Sequence, residues 1–170
     1  MTEFLAGAPL ALPEVLAAPP APLAPGDAVV TPSFARGAAL LRSEAGKLYR
    51  LSWEAKEERD DRRRALPAGK YALVGYRLIA TDAQSVAWHQ SVGGKTIQQL
   101  ALAEGEERRL EIDATVRIET RLAGEQLQVA IQGEKGAGLS LYKAGKRIPI
   151  GYRLADAAGK PLAEGKINYG

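Results

Sequence analysis

Few residues in this sequence are equipped for chemistry, and their spacing decides what each can do. His89 is the sole histidine and the chain has no cysteine. A transition-metal site would have to rest on carboxylates around one imidazole, a poor match to the nitrogen and sulfur sets that zinc and its neighbours take. Disulfides, thiolate metal sites and cysteine nucleophiles are excluded. A Ser-His-Asp arrangement can be drawn from His89, Ser85 or Ser91, and Asp82. Ser91, two residues from His89, shares its face in an extended strand. It lacks the sharp nucleophile turn and the ready oxyanion donors that acyl transfer requires. Gly93-Gly94-Lys95-Thr96 has the lettering of the end of a phosphate-binding loop, but His89 stands where the first glycine belongs. The residues that follow, Ile97-Gln98-Gln99-Leu100, read as a strand and not as the helix such a loop opens. The expectation is a non-enzyme with no cofactor and no metal.

What remains are contact residues. Trp88 and His89 are the pair best suited to an exposed aromatic platform for a carbohydrate or small ligand. Arg62-Arg63-Arg64 closes the charged run that begins at Lys56, and its guanidinium groups suit phosphate or carboxylate partners. The run EAKEERDDRRRA over 54–65 has no apolar stripe for a helix to bury, so it reads as an exposed hairpin loop. Trp53 is in phase with Tyr49 and Leu51 and reads as core. Lys and Arg number 23 against 20 Asp and Glu, a net charge of +3. The two signs alternate along the chain, unlike the one-sided basic face of a nucleic-acid binder, so no nucleic-acid partner is expected.

These residues sit in a chain that changes character near position 27. Residues 1–26 carry Pro9, Pro13, Pro19, Pro20, Pro22 and Pro25 among alanines and leucines. Such a stretch favours extended backbone, and its apolar side chains suit an arm lying along its own domain or a neighbouring subunit. It lacks the basic start and continuous apolar centre of a signal peptide. From 27 to 170 the rhythm is two residues. In 110–122, Ile112, Ala114, Val116, Ile118, Thr120 and Leu122 alternate with charged or polar neighbours, which predicts a strand with one dry face. Leu127, Val129 and Ile131 read as its hairpin return. Further strands are expected near 28–31, 37–42, 47–55, 69–80, 84–89, 96–102, 139–143, 147–155 and 161–169, separated by Gly, Pro and Asp. An echo links Ala68-Gly69-Lys70…Gly75-Tyr76-Arg77-Leu78 with Ala144-Gly145-Lys146…Gly151-Tyr152-Arg153-Leu154, the glycine before each tyrosine suggesting a bulge or close backbone approach. The fold expected is all-β: an antiparallel β-sandwich, Ig-like or transthyretin-like, over 27–170, behind an extended Pro/Ala-rich arm. No apolar run is long enough to span a membrane.

The tail Gly151-Tyr152-Arg153-Leu154-Ala155-Asp156-Ala157-Ala158-Gly159-Lys160-Pro161-Leu162-Ala163 resembles the strand–DxxGKPLA–strand hairpin of transthyretin-like, carboxypeptidase-regulatory-like domains. The resemblance implies an exported bacterial sandwich module used for packing or adhesion, without catalysis. The expected function is therefore a structural or protein-interaction module of a bacterial extracytoplasmic or surface protein. It would act on another chain or on itself, through the arm. The alternatives are a carbohydrate- or small-ligand-binding module and a virion or filament subunit.

Overall fold

The computed structural model describes residues 15–17, 24–53, 62–124 and 126–167. Among these the backbone is all-β, with one turn of 3-10 helix at Glu134–Gly136. The strands are β1 (Val15–Ala17), β2 (Asp27–Pro32), β3 (Gly37–Ser43), β4 (Leu48–Trp53), β5 (Arg64–Pro67), β6 (Gly69–Thr81) and β7 (Ala87–Leu102). They continue with β8 (Glu107–Leu110), β9 (Arg117–Ala123), β10 (Gln126–Gln132), β11 (Gly138–Lys143), β12 (Lys146–Arg147), β13 (Ile150–Ala155) and β14 (Pro161–Ile167). A nine-stranded sheet runs β1-β4-β3-β6-β7-β11-β10-β9, with β12 beside β11. A three-stranded sheet runs β5-β2-β8, and β13 and β14 form a hairpin of their own. Pairing is antiparallel except for β1 on β4 and β2 on β8.

The two-residue rhythm does what the pleat demands. On β3, Gly37, Ala39 and Leu41 turn inward; on β4, Leu51 and Trp53 do. Ala28 and Val30 of β2, Leu66 of β5 and Leu110 of β8 join one core with Leu41, Leu51, Leu73, Val92, Ile97 and Leu139 of the large sheet. Residues of the small sheet and the large sheet thus share one core. Each fully buried leucine contributes on the order of 1.5–3 kcal/mol of transfer free energy. Trp53 closes one end of this core, edge-on to Phe34 at 5.2 Å between ring centroids, with its indole N–H donated to the Arg62 carbonyl.

Bulges let the long strands β6 and β7 bend around the core. Tyr71 and Leu73 face inward on odd positions and Tyr76 on an even one, because the β6–β7 register shifts between Leu73 and Gly75. Opposite that shift β7 passes from Gln98 to Gly93, so Gly94-Lys95-Thr96-Ile97 form the bulged segment, with Ile97 buried in the core. The phosphate-loop lettering is therefore mid-strand. The close approach expected at Gly75 is present: a Cβ there would lie 3.2 Å from the Val92 carbonyl oxygen. Its counterpart at Gly151 meets only an ordinary contact, 3.9 Å from the Gly165 oxygen. Among the described glycines, Gly37 has the closest approach to another backbone. At φ 153°, a Cβ would stand 2.1 Å from the Arg77 carbonyl oxygen, so only glycine fits where β3 meets β6.

Three expectations are revised. The strands expected near 84–89 and 96–102 are one strand, β7, which runs through Gly93-Gly94 without a turn. The continuous strand over 110–122 is divided: β8 ends at Leu110 in the small sheet, 111–116 cross between sheets, and β9 begins at Arg117 at the edge of the large sheet. The crossing is held by the Asp113 carboxylate, which accepts the Thr115 backbone N–H at 2.8 Å, and by Tyr76, whose hydroxyl donates to the Asp113 carbonyl at 2.9 Å. Of the expected loop over 54–65, residues 54–61 lie outside the described residues. Arg62 and Arg63 are half-buried, and Arg64 and Ala65 are buried at the start of β5. Of the N-terminal arm, Val15–Ala17 pair in parallel with Leu48–Arg50, placing them beside their own domain; residues 1–14 and 18–23 lie outside the described residues.

Candidate functional site

Trp88 and His89 are neighbours on β7 and so present to opposite faces of the sheet. On one face, the Trp88 indole N–H donates to Asp82 Oδ2 at 2.8 Å, and the Lys143 ammonium sits 4.6 Å from the ring centroid. Lys143 Nζ also lies 3.7 Å from Asp82 Oδ2, closing a three-residue clasp over the β6–β7 turn. That turn is set by Asp82, which accepts the backbone N–H groups of Gln84 and Val86 at 3.1 and 2.8 Å. The Trp88 indole, first, and these amides hold the Asp82 carboxyl below its ordinary range. One face of the Trp88 ring is therefore already taken by a cation.

On the other face His89 stacks on Tyr142, its cross-strand neighbour on β11, at 4.4 Å and 19° between planes. Desolvation, and then the nearby Arg77 charge, lower its pKa, favouring the neutral ring. Among the described residues no hydrogen bond joins His89 to Asp82, Ser85 or Ser91, and Asp82 is committed to the opposite face. No group of three or more His, Cys, Asp or Glu side chains that could hold a metal occurs among them either. Trp88 and His89 do not combine into one platform.

The three arginines are likewise separated. Arg62 donates through Nη1 to the Phe34 carbonyl at 3.2 Å, and Arg63 Nη2 lies 3.3 Å from Glu107 Oε2. Arg64 turns inward, its Nε donating to the Ser52 carbonyl at 3.0 Å. They staple β5 to β4, β8 and the loop before β3. Arg62 lines a surface cleft with Thr31, Pro32, Ser33 and Arg109, and there Arg109 is paired to Glu111 at 2.8 Å.

Exposed apolar side chains gather elsewhere, on two hairpins. On and just before β9, Val116, Ile118 and Leu122 are 39, 61 and 70% exposed. Ile118 pairs with Ile131 and Thr120 with Val129 on β10, and directly opposed residues of an antiparallel pair share a face. The shared apolar phase seen in the sequence is kept, but the dry face expected from it is not formed: all of β9 is exposed, and Ile118 stays in water opposite the buried Ile131. On β13–β14, Tyr152, Leu154 and Leu162 are exposed, and Ile150 packs on the core. The Tyr152 ring lies over Gly165, its cross-strand partner, occupying the space that a Cβ would need. Sequence reasoning found this apolar phase and missed its exposure, because periodicity says which residues share a face and not what covers it.

β9 also has a free edge. It is the last strand of the large sheet, and among the described residues nothing pairs with its outer side, whereas the opposite edge carries β1. Its charges find no answer on β10: Arg117, Glu119 and Arg121 stand opposite Gln132, Ala130 and Gln128. Among the described residues no helix is long and apolar enough to cross a membrane. Comparison of the chain with protein-family models, with curated proteins and with solved structures returns no match.

Proposed function

We propose that this chain is a non-catalytic β-sandwich module that works by protein–protein contact, as a structural component of an assembly. The observation that carries the reading is the concentration of exposed large apolar side chains on two adjacent-strand hairpins, β9–β10 and β13–β14. Single exposed apolar residues are ordinary on any surface, but contiguous ones at a sheet edge mark contact sites. A two-stranded hairpin with no layer beneath it is marginal in water. β13–β14 is such a hairpin, so a partner chain that covers it would also stabilise it. In this reading the contact surface lies in the C-terminal half of the chain, beside whatever part the N-terminal arm takes. The likeness of the tail hairpin to transthyretin-like modules supports an extracytoplasmic structural setting.

The test is sedimentation of the purified chain from micromolar to millimolar concentration, beside a variant carrying Ile118→Ser, Leu122→Ser, Tyr152→Ser and Leu154→Ser. The wild type is expected to associate and the variant to stay monomeric with an unchanged far-ultraviolet spectrum. A wild type that remains monomeric throughout, or a variant that associates equally well, defeats the reading.

A further inference from the structure

From the free edge of β9 we infer that its partner is a second copy of this chain, joined β9 to β9 in antiparallel register about a two-fold axis at Thr120; this rests on the contact reading above. The strand is self-complementary. Reversed on itself about Thr120, Arg117-Ile118-Glu119-Thr120-Arg121-Leu122-Ala123 sets Ile118 against Leu122 of the other copy and Glu119 against its Arg121. The two-fold repeats both contacts, and Thr120 meets its own equivalent. Apolar pairs, opposite charges and Thr–Thr pairs are the cross-strand combinations that stabilise an antiparallel pair. The interface is isologous and closes at two copies.

No other register does this over the full length of the strand: a slip of four sets Arg117 opposite Glu119 and Ile118 opposite itself, but it pairs only three residues. A slip of one residue places Leu122 opposite Arg117 or Glu119. A slip of two places Glu119 opposite Glu119, or Arg121 opposite Arg121. Parallel in-register stacking, the route to open-ended fibres, sets every like charge against itself. The alternating charges of β9 thus discourage indiscriminate edge pairing, as edge strands generally must, and admit one arrangement. They also gain the counter-charges that Ala130 and Gln128 on β10 do not offer them. In the pair, Ile118 and Leu122 form two cross-strand pairs, one on each side of the central Thr120 pair, and the large sheet runs on across the axis.

One strand pair buries less than a standard interface, so dissociation constants of roughly 10–1000 µM are expected. The experiment is sedimentation equilibrium at low salt on the full chain and three variants: Glu119→Arg, Arg121→Glu, and both together. Each single reversal turns two attractive cross-strand pairs into repulsive ones and should weaken self-association roughly tenfold or more. The double reversal should restore it, and an equimolar mixture of the two single variants should associate where neither does alone. These side chains are exposed, and the circular dichroism of each variant serves as the check on folding. A monomeric wild type, single reversals that associate like wild type, or a mixture no better than its components would each overturn the proposal. Charge variants without effect beside apolar variants that abolish association would remove the β9 register and leave the contact reading standing. If neither set has any effect, both fall.

Discussion

At the scale of single residues, most of the polar chemistry of this chain is spent on holding strands together. Asp82 shows the pattern: its carboxylate fixes the β6–β7 turn through two amides, takes the Trp88 indole N–H, and draws Lys143 in from β11. His89 carries a testable consequence of the same economy. Partial burial and the Arg77 charge depress its folded pKa below the ordinary histidine value. The neutral ring is the form the fold prefers, so protonation favours the unfolded chain. The contribution of His89 is therefore complete above its unfolded pKa of about 6.5 and is lost as the pH falls from there toward the folded value. Thermal melting at pH 7.5 and 5.5 should show a smaller acid-induced drop for His89→Gln than for wild type; equal drops would show that the ring titrates alike in both states. Residue types alone foretold some of these roles. Trp53, in phase with Tyr49 and Leu51, is buried as its spacing required. Arg64 gave no such signal: in a run of charges it reads as solvated, and only the strand that begins at it turns it inward against the Ser52 carbonyl.

At the scale of elements, alternation was legible along several strands and cover was not. β3, β4 and β6 follow the two-residue rhythm of the sequence, whereas β2 buries Ala28, Val29 and Val30 in succession and β5 buries Arg64, Ala65 and Leu66 where the sequence read a loop and a turn. The segment with the cleanest rhythm, 110–122, is the one the fold divides, because its first part pairs with β2 and its last with β10. Sheet membership depends on contacts distant in sequence, which no local pattern carries. The bulge at Gly94–Ile97 was hidden for a related reason: β7 must bend around the core, and the extra residues answer a need set by β6. The tail hairpin was read correctly as two strands, yet its apolar positions gave no hint that no layer lies beneath them. That difference in support should be visible in backbone dynamics. Amides of 150–167 have only each other as partners and few buried apolar contacts, whereas those of β6 and β7 run through the core. Hydrogen exchange followed by mass spectrometry on dilute protein should find Ile150–Ile167 exchanging through local opening, orders of magnitude faster than Leu73 or Val92. Equal protection in the monomer would mean that the hairpin is covered by the rest of the chain.

At the scale of the whole molecule, the contact reading proposed above gives stability and contact to different parts of the chain. Ala28 to Leu141 supply nearly all of the core, through two sheets that share one interior, with Ile150 packed against it. The exposed apolar side chains fall at the edge and tail, on Val116, Ile118, Leu122, Tyr152, Leu154 and Leu162. A net charge of +3 with both signs interspersed leaves no long-range field to steer partners, so recognition has to be short-ranged, by shape, strand edge and local charge register. The same partition predicts what truncation does. Removing everything after Ile150 takes away no residue of the core cluster and breaks no pairing of the large or small sheet. The melting temperature of the truncated chain should then stay within about 4 °C of the full-length value, corresponding to roughly 1 kcal/mol or less for a chain of this size. Differential scanning calorimetry on dilute monomer measures it directly. A loss of cooperative unfolding would show that the hairpin belongs to the core and is not the contact element argued for it here. If the melting temperature holds while sedimentation shows a weakened assembly, the tail acts in association and the sheets beneath it fold without its help.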